Sequence, residues 1–96
     1  MTGKQRAYLR GLANTIPAKY QIGKEGIVEN HKKQFLDALE ANELIKIHVL
    51  ETVEDTPREI CNQLVKILDA EPVQVIGRKI VIYKESENNK QILITK

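Results

Sequence analysis

Apolar residues recur every three or four positions in three stretches of the chain, and this spacing predicts three helices. In the first helix, Thr2 is a candidate N-cap, and Pro17 ends the pattern because proline lacks an N–H group. The second helix covers residues 27–42, and the third covers residues 56–68 and begins with the capping-box sequence TPRE. The predicted core positions are Tyr8, Leu9, Leu12, Ala13 and Ile16 in the first helix, Val28, Phe35, Ala38 and Leu39 in the second, and Ile60, Cys61, Leu64, Val65 and Leu68 in the third.

Strand signals lie between these helices and after the last of them. Residues 18–22 are a short extended candidate, and residues 44–50 alternate between apolar and polar side chains. Residues 72–83 form a predicted hairpin whose two-residue loop, Gly77-Arg78, suits a type II′ turn because its first residue is glycine. Residues 86–96 are predicted to be a polar loop followed by either a short strand or a frayed tail.

The predicted order of elements is therefore α-β-α-β-α-β-β. Helical connections between strands favour right-handed parallel crossovers, whereas the closing hairpin adds an antiparallel pair. The predicted fold class is α/β, with a small mixed sheet of about four strands and about three helices packed on it. At 96 residues the chain has the length of one domain, so residues 1–96 are predicted to form a single unit.

Composition and charge narrow the class of protein. Hydrophobic residues make up 42% and charged residues 29% of the chain, and no apolar run is long enough to span a membrane. The single cysteine, Cys61, excludes an internal disulfide and a multi-cysteine zinc site, and we expect no metal or other cofactor. Because neither a membrane span nor a signal peptide is predicted, we expect a cytoplasmic protein. The net charge of +2 divides into +5 over residues 1–33, −6 over residues 34–71 and +3 over residues 72–96. This asymmetry predicts one basic and one acidic face.

Residues suited to enzyme chemistry are few. Ser86 is the only serine and lies in a predicted loop. Cys61 falls on the apolar side of a helix, where cysteine usually packs as a small hydrophobic residue. His31 and His48 have no cysteine near them in the sequence, and each is predicted to be a surface or packing residue. The sequence therefore argues against an enzyme and against a small-molecule substrate.

The loop Gly23-Lys24-Glu25-Gly26 is the strongest candidate binding site. It is predicted to precede the N-terminus of the second helix, where free N–H groups and the positive end of the helix dipole suit phosphate. Glycines allow another backbone to approach closely, as in the GxxG loops with which KH domains clamp nucleic acid. The alternative interpretation is a plain strand-to-helix turn, because GxxG occurs often by chance.

Other basic residues extend this candidate site. The paired sheet aromatics of RRM domains are absent, so if the ligand is RNA, we expect contacts to its backbone rather than base stacking. In each case, the alternative interpretation of a basic residue is ordinary solvated surface. The candidate phosphate contacts outside the loop are Arg6 and Arg10 in the first helix, Lys32 and Lys33 in the second, and Arg78 and Lys79 at the hairpin tip.

Four segments of the sequence resemble one known family. They are QRAYLRGLAN in the first helix, IGKEGIVEN at the loop, ELIKIHV in the second strand and VQVIGRKIVIY in the closing hairpin. In order and length, over nearly the whole chain, they resemble the CRM domain (chloroplast RNA splicing and ribosome maturation) in its stand-alone bacterial YhbY-like form. The resemblance implies a KH-like fold, similar to the C-terminal domain of bacterial initiation factor three, and RNA binding without catalysis.

The resemblance also implies a role and a set of contact residues. Bacterial members are associated with the precursor of the large ribosomal subunit, so the implied partner is its rRNA, with ribosomal proteins as further partners. Glu25 departs from what phosphate binding favours, because it places a negative charge inside the loop. The competing hypothesis is a protein-interaction module in which acidic residues 37–55, with Glu40 and Glu43, dock a basic ribosomal protein. The residues that carry over from the family are Gly23, Lys24 and Gly26 and the basic residues that flank them in the first two helices.

Overall fold

A computed structural model describes residues 1–88, 90 and 92 of the chain. The last strand or tail predicted for residues 91–96 lies outside these described residues, apart from Ile92. The described residues follow the predicted order of elements, and they form α1 (Gly3–Ala13), β1 (Tyr20–Ile22), α2 (Glu29–Asn42), β2 (Leu44–Val49), α3 (Pro57–Leu68), β3 (Glu71–Ile76) and β4 (Lys79–Tyr83).

The four strands form one mixed sheet in the order β1-β2-β4-β3. β1 and β2 are parallel neighbours, and α2 provides the crossover between them. β4 is antiparallel to both of its neighbours, β2 and β3. Gly77 has φ +57, which agrees with the type II′ turn predicted for the hairpin. The three helices and the mixed four-stranded sheet confirm the predicted α/β fold.

Helices cover both faces of the sheet, and the alternation of strand side chains decides which residues each helix meets. α2 and α3 pack on one face, against strand residues that include Ile47 and Ile80. α1 packs on the opposite face, against Leu44 and Val81. These are named the α2/α3 face and the α1 face. Lys46 shares the α1 face with Leu44, because the two residues are two positions apart on β2.

α1 differs from its prediction in length and in one core residue. It ends at Ala13 rather than near Pro17, and the Thr15 hydroxyl then donates to the Leu12 carbonyl at 3.0 Å. The sequence predicts Tyr8 in the core, but its side chain is 48% exposed. Leu9 and Ala13, four residues apart, are the buried residues of α1, so the buried side is narrower than the predicted stripe.

α2 begins two residues later than predicted, at Glu29 instead of Ile27. The cause is local backbone conformation, because Gly26 has φ +73 and Val28 is extended, with φ −114. Val28 is therefore the N-cap of the helix and not part of its buried side. The shift leaves two residues between the loop and the first turn of α2.

Candidate nucleic-acid interface

Residues 23–26, named the GxxG loop, form a tight turn at the end of β1. The Gly26 N–H donates to the Gly23 carbonyl at 2.8 Å. The φ of +73 at Gly26 lies in the left-handed region that favours glycine. At Gly23, an added Cβ would lie 3.6 Å from Leu50 Cδ1, which is an ordinary contact. The backbone conformation therefore favours glycine at the second position of the motif but not at the first.

The N-terminus of α2 is partly open beside this loop. Val28 has no side-chain cap, and its own N–H donates to His31 Nδ1 at 3.1 Å. Within the part of the chain that the structure describes, the N–H groups of Glu29 and Asn30 have no acceptor. Unpaired N–H groups at the positive end of a helix dipole are a suitable site for an anion.

His31 lies at the edge of the loop, where the sequence predicts only a surface or packing residue. It lines a shallow cavity of about 380 Å³ together with the GxxG loop and Val28. Its ring stacks on Phe35 with centroids 5.2 Å apart. Because Nδ1 accepts a hydrogen bond, the neutral ring carries its proton on Nε2, which can act as a donor. Its position three residues after the N-cap is the signal that could have identified it.

Three lysines near the loop are exposed: Lys24, Lys32 and Lys33. Lys33 Nζ lies 3.7 Å from Asp37 Oδ2, and both side chains are well exposed, so this pair is worth little. Lys24 and Lys32 contact no acceptor among residues 1–88, 90 and 92. Glu25 is also exposed, so one negative charge remains within the loop.

Arg78 holds the hairpin tip against the strand ends next to the loop. Its Nε donates to the Val49 carbonyl at 2.8 Å, and its Nη2 donates to the Leu50 carbonyl at 2.7 Å. Leu50 in turn donates its N–H to the carbonyl of Ile22, the residue before the loop, at 2.9 Å. Two of the donors of this predicted RNA contact are thus used within the chain. Arg78 is a positioning residue for the loop.

The remaining predicted contacts lie in two different places. Lys79 is exposed at the start of β4, one residue after Arg78. Arg6 of α1 contacts edge strand β3, because its Nε donates to the Pro72 carbonyl at 3.0 Å. Arg10 is half-buried one turn later in α1. β3 and β1 are opposite edges of the sheet, so the structure does not bring Arg6 to the GxxG loop.

Two of the central acidic residues, Glu40 and Glu43, are used within the chain, whereas Asp37, Glu51 and Glu54 are exposed. Glu43 is fully buried, and its carboxylate accepts from the N–H groups of Ser86 at 2.9 Å and Ile92 at 2.7 Å. Glu40 accepts from the Ser86 hydroxyl at 2.7 Å and from the Asn88 N–H at 2.9 Å. Glu43 is therefore not part of an exposed acidic face, because it is buried and its carboxylate binds the segment that follows β4.

Side chains that could carry other chemistry are used for packing. Cys61 is buried in the core of the α2/α3 face, and this burial raises the pKa of its thiol more than the charge of Arg58 lowers it. Among the described residues, no group of His, Cys, Asp and Glu side chains could hold a metal ion. None of the helices in this part of the chain has the length and apolar character needed to span a membrane.

Comparison with known proteins gives matches over nearly the whole chain. A family model for the CRS1 / YhbY (CRM) domain matches residues 1–84. The probable RNA-binding protein YqeI of Bacillus subtilis is 46% identical over 92 residues, which cover 96% of each protein. An RNA-binding protein of Haemophilus influenzae is 33% identical over 90 residues, which cover 94% of this chain and 91% of the relative.

A solved structure agrees with these matches. The solution structure of a Staphylococcus aureus protein, described as a candidate RNA-binding protein, superposes with a TM-score of 0.83. That protein is 50% identical in sequence, and the match covers 99% of both chains. On the family match and the two relatives, the chain belongs to the CRS1/YhbY (CRM) domain family.

Proposed function

We propose that this protein binds RNA through the GxxG loop and the basic residues around it. One observation carries the proposal: the loop presents the open N-terminus of α2, with the free N–H groups of Glu29 and Asn30, beside the exposed charges of Lys24 and Lys32. The relatives are named as RNA-binding proteins, which supports the same class of ligand here. The protein acts as a binding module and not as an enzyme.

The mechanism is electrostatic and directed at the RNA backbone. A phosphate approaches the N–H groups of Glu29 and Asn30, which the helix dipole makes favourable for an anion. Lys24 and Lys32 neutralise neighbouring phosphates and release counterions, so the affinity falls as the salt concentration rises. Arg78 keeps the loop in register with the strand ends, and Glu25 reduces the attraction.

The proposed partner is rRNA of the large-subunit precursor, and the proposed process is ribosome biogenesis in the cytoplasm. Membership of the CRS1/YhbY family supports this assignment, together with the four sequence segments that resemble the bacterial members. Ribosomal proteins are further proposed partners. The acidic-face alternative loses support because Glu43 is buried and Glu40 binds the chain's own backbone.

The test compares two substitutions of Gly26 that differ only in charge. Asn and Asp have the same shape, and both tolerate a left-handed conformation, so each should fold at φ +73. Fluorescence anisotropy with a large-subunit rRNA fragment, at two salt concentrations, should show binding weakened about tenfold by Gly26→Asp at low salt and less than about threefold by Gly26→Asn. Circular dichroism is used to check that both variants are folded.

An unrelated RNA of equal length is the control for the partner. Equal affinity of the wild type for both RNAs would contradict the ribosomal assignment and leave RNA binding in place. Equal binding by the wild type and both folded Gly26 variants would show that the GxxG loop is a turn without a role in RNA binding. Failure of the wild type to bind either RNA would overturn the proposed ligand class.

A further inference from the structure

Polar side chains on the α1 face form a row that crosses three strands next to the GxxG loop. The strand register places Gln21 of β1 opposite His48 of β2, and His48 opposite Lys79 of β4. These three residues are named the polar row. The next pair toward the loop is Ile22 with Val49, so the polar row lies one residue from the strand ends.

α1 leaves the polar row uncovered. It buries Leu44 and Val81 further along the same face, whereas Gln21 and Lys79 are exposed and His48 is half-buried. In residues 1–88, 90 and 92, none of the three side chains makes a hydrogen bond or an ion pair. The fold therefore does not use the polar groups of this row, although His48 and Lys79 lie on the two middle strands and Gln21 lies on edge strand β1.

The surroundings of the polar row favour an anion. Lys46 lies on the same face, two residues before His48 on β2, and the row itself contains no carboxylate. The acidic connection between β2 and α3 turns toward the other face of the sheet. Val53 in that connection is buried in the core of the α2/α3 face, and Asp55 accepts from the Gln63 amide of α3 at 3.2 Å.

We propose that the polar row binds one nucleotide of a single-stranded RNA whose neighbouring phosphate is held by the GxxG loop. Strands lie about 4.8 Å apart, so the row extends about 10 Å from Gln21 to Lys79, which suits one nucleotide with its phosphate. The Gln21 amide and the His48 ring offer donors and acceptors to a base edge or a ribose hydroxyl, and Lys79 offers a charge to the phosphate.

The one-nucleotide length of the polar row favours an unpaired RNA. Side chains cannot reach base edges in the deep and narrow major groove of double-stranded RNA, whereas the bases of single strands can be turned outward. The inference rests on the proposed function, because the GxxG loop supplies the neighbouring phosphate contact. It adds a chemical class of substrate: an unpaired RNA segment that crosses the sheet as it leaves the loop.

The test separates the amide contact from the charge contact. Anisotropy is measured with a short unstructured RNA and with a duplex of the same length. Gln21→Ala should weaken single-strand binding about fivefold with no change in its salt dependence, because a neutral contact is lost. Lys79→Ala should weaken it about fivefold and reduce the magnitude of the salt slope by about 0.7, the value for one phosphate of a single strand. The matched controls, Gln34→Ala and Lys66→Ala, replace exposed helical residues of the same types and should stay within about twofold of the wild type.

NMR provides an independent measurement on the unmodified protein. The side-chain amide of Gln21 and the ring of His48 should shift on titration with the unstructured RNA, and the amide of Gln34 should not. Gln21→Ala and Lys79→Ala variants that bind like the wild type, while Gly26→Asp remains defective, would overturn the polar row and leave the proposed function intact.

Two other outcomes also contradict the inference. Equal losses for the single strand and the duplex would show a general electrostatic surface and not a nucleotide site. A wild type that binds neither RNA would overturn the polar row and the proposed function together.

Discussion

The two ends of α2 use their polar groups in opposite ways. At the C-terminal end, the carboxylates of Glu40 and Glu43 accept hydrogen bonds from the segment that contains Ser86. At the N-terminal end, the N–H groups of Glu29 and Asn30 have no acceptor within the described residues. Among the described residues, the carboxylates at the C-terminal end have partners within the chain, whereas these N–H groups at the N-terminal end have none.

This difference shows that the sign of a charged region says little about its role until its partners are known. The negative charge of residues 34–71 suggests a surface for a basic partner, yet Glu43 is fully buried and binds backbone N–H groups. A carboxylate paired in this way contributes to folding, whereas exposed groups without partners remain available for binding. The family match ends at residue 84, so the segment that Glu43 holds lies just beyond it.

The largest expected effect is on stability and concerns the C-terminal end of α2. Glu43 and Asp69 both follow a helix in the left-handed conformation, with φ +65 and +54, so glycine should relieve backbone strain at either position. Only Glu43→Gly also removes the acceptor for the N–H groups of Ser86 and Ile92. We expect Glu43→Gly to lower the free energy of unfolding by about 2–3 kcal/mol and Asp69→Gly to change it by less than about 1 kcal/mol, as measured by urea denaturation.

RNA binding is the control for this substitution. A folded Glu43→Gly protein should bind rRNA within about twofold of the wild type, since no RNA contact is proposed at that end of α2. A large loss of affinity in the folded protein would show that the two ends are coupled. Equal stabilities of the two glycine variants would show that the carboxylate adds nothing beyond its backbone conformation.

A second prediction concerns Arg78, which binds the strand ends next to the GxxG loop. Arg78 donates from two nitrogens to two adjacent carbonyls, and lysine keeps the charge but not this geometry. Arg78→Lys and Arg78→Ala should both lower the free energy of unfolding by about 1–2 kcal/mol and weaken RNA binding about threefold. Urea denaturation and anisotropy give the two quantities. Restoration of wild-type RNA affinity by lysine would mean that Arg78 acts through its charge on the RNA.

The fold could be predicted from the sequence wherever the signal is local. The Thr56 hydroxyl accepts from the Glu59 N–H at 3.2 Å, as the capping-box spacing predicts, and Gly77 adopts its expected positive φ. The prediction that Tyr8 is buried is wrong, because three- and four-residue spacing defines a broad apolar side of the helix. Only packing decides which part of that side is buried.

The candidate site was only partly predictable, for a different physical reason. The GxxG loop and its lysines follow from local spacing. The partners of Arg78 are 28 and 29 residues away in sequence, and Ser86 is 43 residues from Glu43. No local pattern encodes such contacts. The polar row likewise needs the strand register, because His48 appears as an isolated outward residue until β1 and β4 are placed beside β2.

The substitution with the smallest expected effect tests whether RNA closely approaches the GxxG loop and the N-terminus of α2. Glu25 is exposed and its side chain makes no hydrogen bond or ion pair with the described residues, so Glu25→Gln should leave stability unchanged while it removes a negative charge from the loop. We expect rRNA affinity to rise about two- to threefold at low salt, and the gain should vanish at high salt because exposed charges are screened. Glu71→Gln, an exposed position at the start of edge strand β3, is the matched control and should show no gain. If Glu25→Gln also shows no gain at low salt, the phosphates do not pass close to the loop. The N-terminus of α2 would then not bind RNA, and the proposed difference in role between the two ends of α2 would be lost.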